Sequence, residues 1–396
     1  MGGVLRLKPR EDRRLRRGHL WVFSNEIDVD ATPLATLQPG DLVEVRDAAD
    51  RTLGFGYAHP RALLSVRLLA RGRRAPDLPQ LLRRRLTQAL SLRERLYPAP
   101  FYRLVHGEGD LLPGLVVDRY GDVLVAQLTT AGMERLRPAV LAALVDVLAP
   151  RGILLRHDTP VRALEGLPQT IEVAYGTVPD EVALEEQGVR FLVPLWTGQK
   201  TGWFFDQRPN RLRARAYAAD ARVLDVFAYL GGWSLGLLAA GAREAVAVDS
   251  SALALERLRA HAAMNGFAER VRTVEGDAFD VLSRWRSTGE RFDVVVLDPP
   301  AFVKRKRDLP AGLQAYERLL HLGLGLLAPG GVLIASSCSG HVDRAAWDAV
   351  LRRAALRARR SLQILEEGSQ GPDHPVHPMI PETRYLKVTF ARVLDG

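Results

Sequence analysis

The amino-acid sequence predicts an α/β fold in which a doubly wound parallel sheet follows two smaller parts, a β-rich module and an α+β segment. From about Val223 onward, short β-branched runs alternate with glycine-containing turns and helical stretches. Such alternation is typical of parallel strands joined by crossover helices. The first 72 residues instead alternate short strands with turn residues, and the stretch between mixes helical and hairpin signals.

Length and composition indicate a globular protein with more than one core. The chain has 396 residues, of which 47% are hydrophobic and 26% charged. Its formal net charge of +9 favours an anionic partner such as nucleic acid. No apolar stretch of signal-peptide length follows the basic residues at 1–17, and Pro329-Gly330-Gly331 interrupts the apolar run 322–340. We therefore expect a cytoplasmic protein without a membrane span.

The first predicted part is a β-rich module over residues 1–72. From Gly40, the segment GDLVEVRDAADRTLGFGYAHPRALLSVRLL alternates β-branched runs with turn residues. Ahead of it, four arginines lie close in sequence to two aromatic residues, a combination that can hold phosphates and stack on bases, although charge runs are also commonly just solvated. These residues are Arg13, Arg14, Arg16, Arg17, Trp21 and Phe23.

The second predicted part, residues 73–188, is an α+β domain. The stretch APDLPQLLRRRLTQALSLRERLY opens with two prolines and then spaces leucines at helical intervals. GLVVDRYGDVLVAQL predicts two strands joined by a turn at Asp118-Arg119-Tyr120-Gly121, and GMERLRPAVLAALVDVLAP predicts a helix.

The third predicted part, residues 189–396, carries the doubly wound sheet and the candidate site. Ligands of such sheets bind beyond the carboxyl ends of the strands. An aspartate stands at the end of each of the first four predicted strands, which for any one of them is explained equally well by helix capping. Their recurrence favours a binding site. They are Asp225, Asp249, Asp277 and Asp298.

The turn after the first of these strands is suited to a cofactor. Phe227, Tyr229 and Gly231 follow Asp225, so the chain can turn tightly and a ligand can approach the backbone. Asp249 follows at about the spacing at which an acid meets ribose hydroxyls. The Gly-x-Gly-x-x-Gly fingerprint is absent from this turn, which disfavours a nicotinamide or flavin enzyme.

These motifs resemble those of known families along essentially the whole chain. LDVFAYLGGWS, VDSS, MNG, GDAF and VVLDPPAFVK are similar to the successive motifs of class I S-adenosylmethionine-dependent methyltransferases. VEVRDAADRTLGFGYAHPRALLSVRLL resembles a PUA RNA-binding module, and EGDLLPGLVVDRYG, WTGQKTGWFFDQRPNR and DHPVHPMIPETRYLK resemble the 23S rRNA large subunit methyltransferase I family. The resemblance implies a PUA-like module, a middle domain and a Rossmann-like methyltransferase sheet that binds S-adenosyl-L-methionine.

The resemblance also implies which residues bind this cofactor. Asp225 and the loop after it would surround the methionine part, Asp249 would hold the ribose hydroxyls, and Asp277 would lie beside the adenine. Lys200 and Arg208 are implied to lie nearby. The implied cofactor-binding residues are Phe205, Asp206, Asp225, Phe227, Tyr229, Gly231, Asp249, Ser250, Asp277 and Asp298.

The single cysteine, Cys338, suggests the chemistry. It ends the predicted fifth strand, which we expect to lie beside the fourth, so that Cys338 and Asp298 share one edge of the sheet. Carbon 5 of a pyrimidine is a weak nucleophile, and addition of a thiolate to carbon 6 activates it. A neutral Asp298 would donate a hydrogen bond to ring nitrogen 3 and so stabilise the charge that develops during addition. This predicts carbon-5 methylation of a cytosine in 23S rRNA, with the base turned out of its stack.

Two other functions and an inert role for Cys338 stay open at this point. DPPAF also resembles the turn of methyltransferases acting on the exocyclic amine of guanine or adenine, and the chain could instead be an inactive RNA-binding assembly factor. Cys338 disfavours the first, the four acids disfavour the second, and a lone cysteine is commonly just a small buried residue. One cysteine and scattered histidines predict neither a disulfide nor a metal site.

The expected partner is 23S rRNA or a large-subunit assembly intermediate. Four consecutive cations, Lys304 to Arg307, follow the Asp298 turn, where a polynucleotide would pass. A homodimer is one option for the oligomeric state.

Overall fold

The computed structural model describes residues 3–394, whose strands form three large sheets and one two-stranded sheet. The chain divides into two compact units. One unit comprises Met1–Val182, Val193–Phe205 and Pro372–Thr383, and the other comprises Ala183–Leu192, Asp206–Gly371 and Arg384–Gly396. The expected domain boundaries after residues 72 and 188 stay predictions. Over residues 3–394, no helix has both the length and the apolar character needed to cross a bilayer.

The β-rich module is a five-stranded sheet with the order β1-β3-β4-β5-β2, in which β1 pairs parallel to β3 and the other pairs are antiparallel. Alternate side chains such as Val43 and Val45 point into its core and are almost fully buried. Its elements are β1 (Gly3–Arg6), α1 (Arg13–Arg16), β2 (Trp21–Phe23), β3 (Asp41–Arg46), β4 (Thr52–Ala58) and β5 (Leu64–Arg71).

The middle segment folds as a second five-stranded sheet, with the order β10-β9-β8-β7-β6, and accompanying helices. Its elements are α2 (Leu78–Leu96), β6 (Phe101–His106), β7 (Leu115–Tyr120), β8 (Val123–Leu128), α3 (Ala131–Arg135), α4 (Arg137–Leu148), β9 (Gly152–Arg156), α5 (Pro160–Leu164) and β10 (Ile171–Gly176). The single helix expected from GMERLRPAVLAALVDVLAP is two helices, because Pro138 in the first turn of α4 lacks the N–H that would continue α3.

The turn between β7 and β8 lies two residues later than the sequence pattern predicts. Strand β7 continues through Asp118 and ends at Tyr120, and Gly121 with a φ of 66° makes the turn. Asp118 belongs inside the strand because its carboxylate is fully buried and accepts two hydrogen bonds from the guanidinium of Arg103 on β6, at 2.5 and 3.0 Å. An aspartate paired in this way no longer acts as a turn residue.

The last large sheet has seven strands in the order β15-β14-β13-β16-β17-β19-β18. The first five are parallel, and β19 is antiparallel to both neighbours. This confirms the doubly wound sheet and the adjacency of the fourth and fifth strands. Its strands are β13 (Arg222–Val226), β14 (Glu244–Asp249), β15 (Val271–Glu275), β16 (Phe292–Leu297), β17 (Leu327–Ser337), β18 (Ser361–Gly368) and β19 (Lys387–Leu394). The separate two-stranded sheet consists of β11 (Glu181–Glu186) and β12 (Val189–Pro194).

Crossover helices cover the sheet and fix the position of its strand ends. Because β14 and β16 lie on opposite sides of β13, the strand order reverses there, which is where such sheets bind ligands. The strand core is apolar, with Leu224, Val295 and Leu333 fully buried. The helices are α6 (Arg208–Ala214), α7 (Gly232–Ala239), α8 (Ala252–Met264), α9 (Ala278–Thr288), α10 (Leu309–Gly325) and α11 (Arg344–Ala358).

Two helical glycines allow a test of how α10 holds the turn after β16. A Cβ on Gly312 would lie 2.3 Å from Cγ2 of Val303 and 3.0 Å from the carbonyl oxygen of Phe302, whereas a Cβ on Gly236 of α7 would meet no atom within 4 Å. We expect Gly312→Ala to lower the free energy of unfolding by about 1–3 kcal/mol. Gly236→Ala, the matched control, should raise it by up to about 1 kcal/mol. Urea unfolding measures both, and equal effects would show that α10 does not constrain this turn.

Candidate active site

The site lies where the carboxyl ends of four parallel strands meet. Val226 of β13 pairs with Val248 of β14 on one side and Leu297 of β16 on the other, and Leu297 pairs with Ala335 of β17. These pairs bring the strand-end residues to one edge of the sheet. Asp225, Asp249, Asp298 and Cys338 all lie there.

The loop after β13 has an unusual backbone that Asp249 stabilises. Phe227 and Tyr229 have left-handed φ angles of 68° and 49°, each of which costs about 1–3 kcal/mol for a residue other than glycine. Gly231 has a φ of 86°, and a Cβ there would stand 2.8 Å from Cγ of Leu258. Asp249 accepts the Tyr229 N–H at 2.9 Å through Oδ2. Two strained residues therefore lie in the loop that the sequence predicts to face a cofactor.

Asp249 also stabilises the turn that follows β14. Ser250 and Asp277, two further predicted site residues, are both exposed. Oδ1 of Asp249 accepts the Ser251 N–H at 2.9 Å, and Ser250 lies between them in the chain. Asp277 is exposed and caps α9, where its Oδ1 accepts the N–H groups of Phe279 and Asp280 at 2.9 and 3.2 Å. It lies two residues beyond the end of β15 and not at its last residue. Helix capping thus accounts for Asp277.

Asp225 is fully buried one residue before the end of β13. Its Oδ2 accepts hydrogen bonds from the backbone N–H of Ser234, at 3.0 Å, and from the Ser234 hydroxyl in the first turn of α7. Within residues 3–394, Oδ1 has no hydrogen-bond partner. Burial raises the pKa of Asp225 to about 7, against the two hydrogen bonds from Ser234. The carboxyl group therefore fastens the start of α7 to β13.

Asp298 accepts three hydrogen bonds directly after β16. Gln207 Nε2 donates to Oδ1 at 2.8 Å, the Trp233 indole N–H donates to Oδ2 at 3.0 Å, and the Ser336 hydroxyl also donates to Oδ1. Burial raises the pKa of Asp298, although the hydrogen bonds from Ser336 and Trp233 oppose the shift. Protonation of this carboxyl is thus easier than in water.

A chain of hydrogen bonds supports Gln207. Asn210 Nδ2 donates to Oε1 of Gln207 at 2.8 Å, which orients the amide so that its N–H₂ faces Asp298. The neighbouring Asp206, predicted to contact the cofactor, accepts the Tyr385 hydroxyl at 2.6 Å. Sequence reasoning missed Gln207, although it lies in the quoted FFDQRPNR motif, and missed Trp233, which directly follows the glycine turn.

Cys338 is partly buried directly after β17, against the Asp-Pro-Pro turn. Its Sγ lies 3.8 Å from the carbonyl oxygen of Pro299, the residue after Asp298. Ser339 fixes the next position, because its Oγ accepts the Val303 N–H at 3.1 Å and hydrogen-bonds the Tyr316 hydroxyl at 2.8 Å. The thiol is therefore held by the turn that carries Asp298.

Three further residues that the resemblance implies near the cofactor have contacts of their own. Phe205 belongs to the first unit, where its ring is 1% exposed and packs against Tyr120 with a centroid separation of 5.4 Å. Lys200, also in the first unit, lies over the Phe204 ring. Arg208 of the second unit forms an ion pair with Glu186 at 3.3 Å.

Two of the N-terminal arginines form ion pairs inside the module. Arg14 pairs with the buried Glu26 at 2.6 Å, and Arg16 pairs with Asp12 and with the buried Asp47. These contacts hold α1 on its sheet, so part of the basic stretch has a structural role. The side chains of Arg13 and Arg17 are exposed.

Comparisons with known proteins agree with this geometry. A family model described as an S-adenosylmethionine-dependent methyltransferase matches residues 168–386, and a PUA-like domain model matches residues 5–71. A solved structure from Streptococcus mutans, described as a SAM-dependent methyltransferase, superposes on this chain with a TM-score of 0.84 at 22% sequence identity. The superposition covers 98% of this chain and 100% of that one. A second solved structure, described as a methyltransferase complexed with SAH, gives a TM-score of 0.85 at 21% sequence identity. It covers 99% of this chain and 100% of that one. Fold and site together define an S-adenosylmethionine-dependent methyltransferase.

Named relatives identify the family of methyltransferases to which the chain belongs. The ribosomal RNA large subunit methyltransferase I of Pseudoalteromonas atlantica is 35% identical over all of both chains. The protein of the same name from Tolumonas auensis is 38% identical over 98% of each chain. The chain belongs to the ribosomal RNA large subunit methyltransferase I family, and it is an S-adenosylmethionine-dependent rRNA methyltransferase.

The raised pKa of Asp225 predicts a pH-dependent stability. In the unfolded chain the carboxyl loses its proton near its ordinary pKa of 3.8, whereas the folded protein holds that proton up to about 7. Stability should therefore fall as pH rises from about 4 to about 7, by on the order of 4 kcal/mol from this group. Asp225→Asn should flatten this part of the profile, as measured by urea unfolding at a series of pH values.

Asp280→Asn is the matched control, because Asp280 is exposed in α9. It should leave the slope of the parent profile unchanged. A slope as steep in Asp225→Asn as in the parent would show that Asp225 does not carry the effect.

Proposed function

We propose that this protein transfers the methyl group of S-adenosylmethionine to carbon 5 of a cytosine in 23S rRNA, through a transient bond between Cys338 and carbon 6. One observation carries this proposal. The Cys338 thiol lies against Pro299, next to Asp298, where the adjacent strands β16 and β17 end. A nucleophile and an acid are thus held on one edge of the sheet, as addition to a pyrimidine ring requires.

We infer that the loop after β13 and the end of β14 hold the cofactor. Each Asp249 oxygen accepts one backbone N–H, and since a carboxylate oxygen has two acceptor sites, each can accept a ribose hydroxyl as well. The turn through Phe227, Tyr229 and Gly231 allows close approach to the backbone, as the methionine part would need. These groups suit a nucleoside cofactor, which when bound supplies an electrophilic methyl group. Asp206, Ser250 and Asp277 remain further proposed contacts, as does Phe205.

The reaction we propose balances without a further redox reagent. The Cys338 thiolate would add to carbon 6, and the electron pair of the carbon 5–carbon 6 double bond would move to carbon 5. Carbon 5 would then bond to the methyl group while the bond between that methyl group and the sulfonium sulfur breaks, and S-adenosylhomocysteine would leave. A base then removes the proton from carbon 5. The double bond re-forms as the bond between carbon 6 and Sγ breaks, which restores the thiolate.

Asp298 would stabilise the charge that develops on the ring during addition. A protonated Asp298 can donate to nitrogen 3 of cytosine, and burial already favours the protonated form. A carboxyl group has about four lone-pair sites, and three of those of Asp298 accept from Gln207, Trp233 and Ser336. The fourth is left to carry the proton that would be donated to nitrogen 3.

Charge supports an RNA substrate rather than a free nucleotide. The four side chains Lys304, Arg305, Lys306 and Arg307 are all exposed, beginning six residues after Asp298. Together with the net charge of +9, they supply exposed cations for phosphate contacts a few residues along the chain from Asp298. We propose 23S rRNA, alone or in an assembling large subunit, as the partner, with the cytoplasm as the location and a homodimer as one option.

Replacing Asp249 tests the cofactor site. Asp249→Asn keeps the side-chain shape but removes the charge that would bind ribose hydroxyls, so we expect S-adenosylmethionine affinity to fall at least about tenfold. Isothermal titration calorimetry without RNA measures this. Asp280→Asn, on an exposed position of α9, should bind like the parent. Equal affinities for all three proteins would remove Asp249 from the site.

Replacing Cys338 tests the carbon-5 chemistry. Cys338→Ala should abolish methylation of 23S rRNA, a loss of at least about a thousandfold, while cofactor affinity stays at the parent value. RNA with 5-fluorocytosine at the target should form a covalent complex with the parent, because fluorine cannot leave as the proton does, and none with Cys338→Ala. Methylation by Cys338→Ala at nearly the parent rate would favour an amine methyltransferase acting on guanine N2 or adenine N6.

A further inference from the structure

We propose that Lys387 is a positioning residue whose ammonium favours the thiolate form of Cys338. The inference rests on the proposed function for its catalytic meaning, but its physical content, a cation that activates this thiol, is tested without substrate.

The sheet places Lys387 beside the residue that precedes Cys338, and its Nζ atom contacts the residue that follows. It is the first residue of β19, and its partner in the antiparallel ladder is Ser337 of β17, the residue before Cys338. Its side chain is 6% exposed. The Nζ atom donates to the carbonyl oxygen of Ser339 at 2.6 Å and to that of Tyr385 at 2.8 Å. The ammonium is thereby fixed between the backbone just before β19 and the residue that follows Cys338.

The partners of Lys387 are unusual for a buried cation. Over residues 3–394, it forms no ion pair with a carboxylate. A buried ammonium satisfied by carbonyl groups alone destabilises the fold relative to an apolar side chain of similar size. Structural support for β17 and β19 therefore does not explain the choice of lysine. A role for its positive charge explains that choice.

The charges around Nζ identify the thiol as its main electrostatic partner. Burial lowers the pKa of Lys387 to about 8; the Cys338 thiolate opposes this shift, Asp343 opposes it less, and Arg344 adds to it. Burial also raises the pKa of Tyr316, and the Cys338 thiolate raises it further. Coupling between two titrating groups is reciprocal, so a thiolate that favours the ammonium is favoured by it to the same extent.

The sign of the effect suits a reaction near neutral pH. Below about 8 the ammonium keeps its proton, and the attraction to the thiolate is present. The nucleophile that the proposed reaction requires is then available without a separate base to remove the thiol proton.

The test uses the single cysteine as its own reporter. Because the chain has one cysteine, iodoacetamide alkylation followed by intact mass spectrometry measures Cys338 alone. We expect Lys387→Met to alkylate about tenfold more slowly than the parent at neutral pH, with the midpoint of its pH profile moved to higher pH. Lys387→Arg, which keeps the charge, should retain most of the parent rate. Lys8→Met, at an exposed lysine, is the matched control and should match the parent.

Each outcome decides the proposal. An alkylation profile of folded Lys387→Met that coincides with the parent profile overturns it, as does a loss as large in Lys387→Arg as in Lys387→Met. If Lys387→Met does not fold, the native parent is compared with its urea-unfolded form. The native midpoint should lie at lower pH, and an equal or higher midpoint overturns the proposal.

A second measurement separates this inference from the proposed function. In methylation assays, Lys387→Met should lower kcat with little change in KM for RNA, and raising the pH should restore part of the rate. Full activity of Cys338→Ala would refute carbon-5 chemistry while leaving the alkylation result intact. A failed alkylation test would leave the Cys338→Ala result intact.

Discussion

The Asp298 carboxylate connects three separate stretches of the second unit through hydrogen bonds. It follows β16, and it accepts from Gln207 ahead of α6, from Trp233 at the start of α7 and from Ser336 near the end of β17. These contacts place the strand end, the glycine turn and the cysteine-bearing strand relative to one another. Together with the contacts of Asp249 and Ser339, they link the loop after β13 to the end of β17 at the switch point of the sheet.

The same region combines several features that are unfavourable for stability. Two residues of the loop after β13 have left-handed backbones, Asp225 is fully buried with a raised pKa, and Lys387 is a buried cation. Each is tolerated because the apolar strands and helices around it are well packed. Concentration of such features at one edge of a sheet is typical of a functional site.

The sequence predicted much of this arrangement, and the physical reasons for its failures are specific. Repeated apolar strands followed by aspartates predicted the doubly wound sheet and the position of Asp225, Asp249 and Asp298, because both depend on local periodicity. Asp118 was assigned to a turn, since its pairing with Arg103 depends on tertiary contact. Which of the four aspartates caps a helix likewise depends on hydrogen bonds that only the folded structure shows.

Gln207, Trp233 and Lys387 could not be found by spacing. Gln207 and Asp298 are 91 positions apart, and the ladder that places Lys387 beside Cys338 joins β17 to a strand beyond α11 and β18. Pairings of this kind depend on which strands become neighbours, and sequence periodicity carries no information about that choice.

The insertion of β19 between β17 and β18 has a consequence for the order of events during synthesis. Strand β18 precedes β19 in the chain, yet its only ladder within residues 3–394 is with β19. A nascent chain that has emerged as far as β18 therefore carries an unpaired edge on β17 and an unplaced β18. The sheet closes, and Cys338 acquires its neighbour Lys387, only once residues 387–394 leave the ribosome. Cys338 therefore gains this neighbour later than the parallel strands β13 to β17 are synthesised.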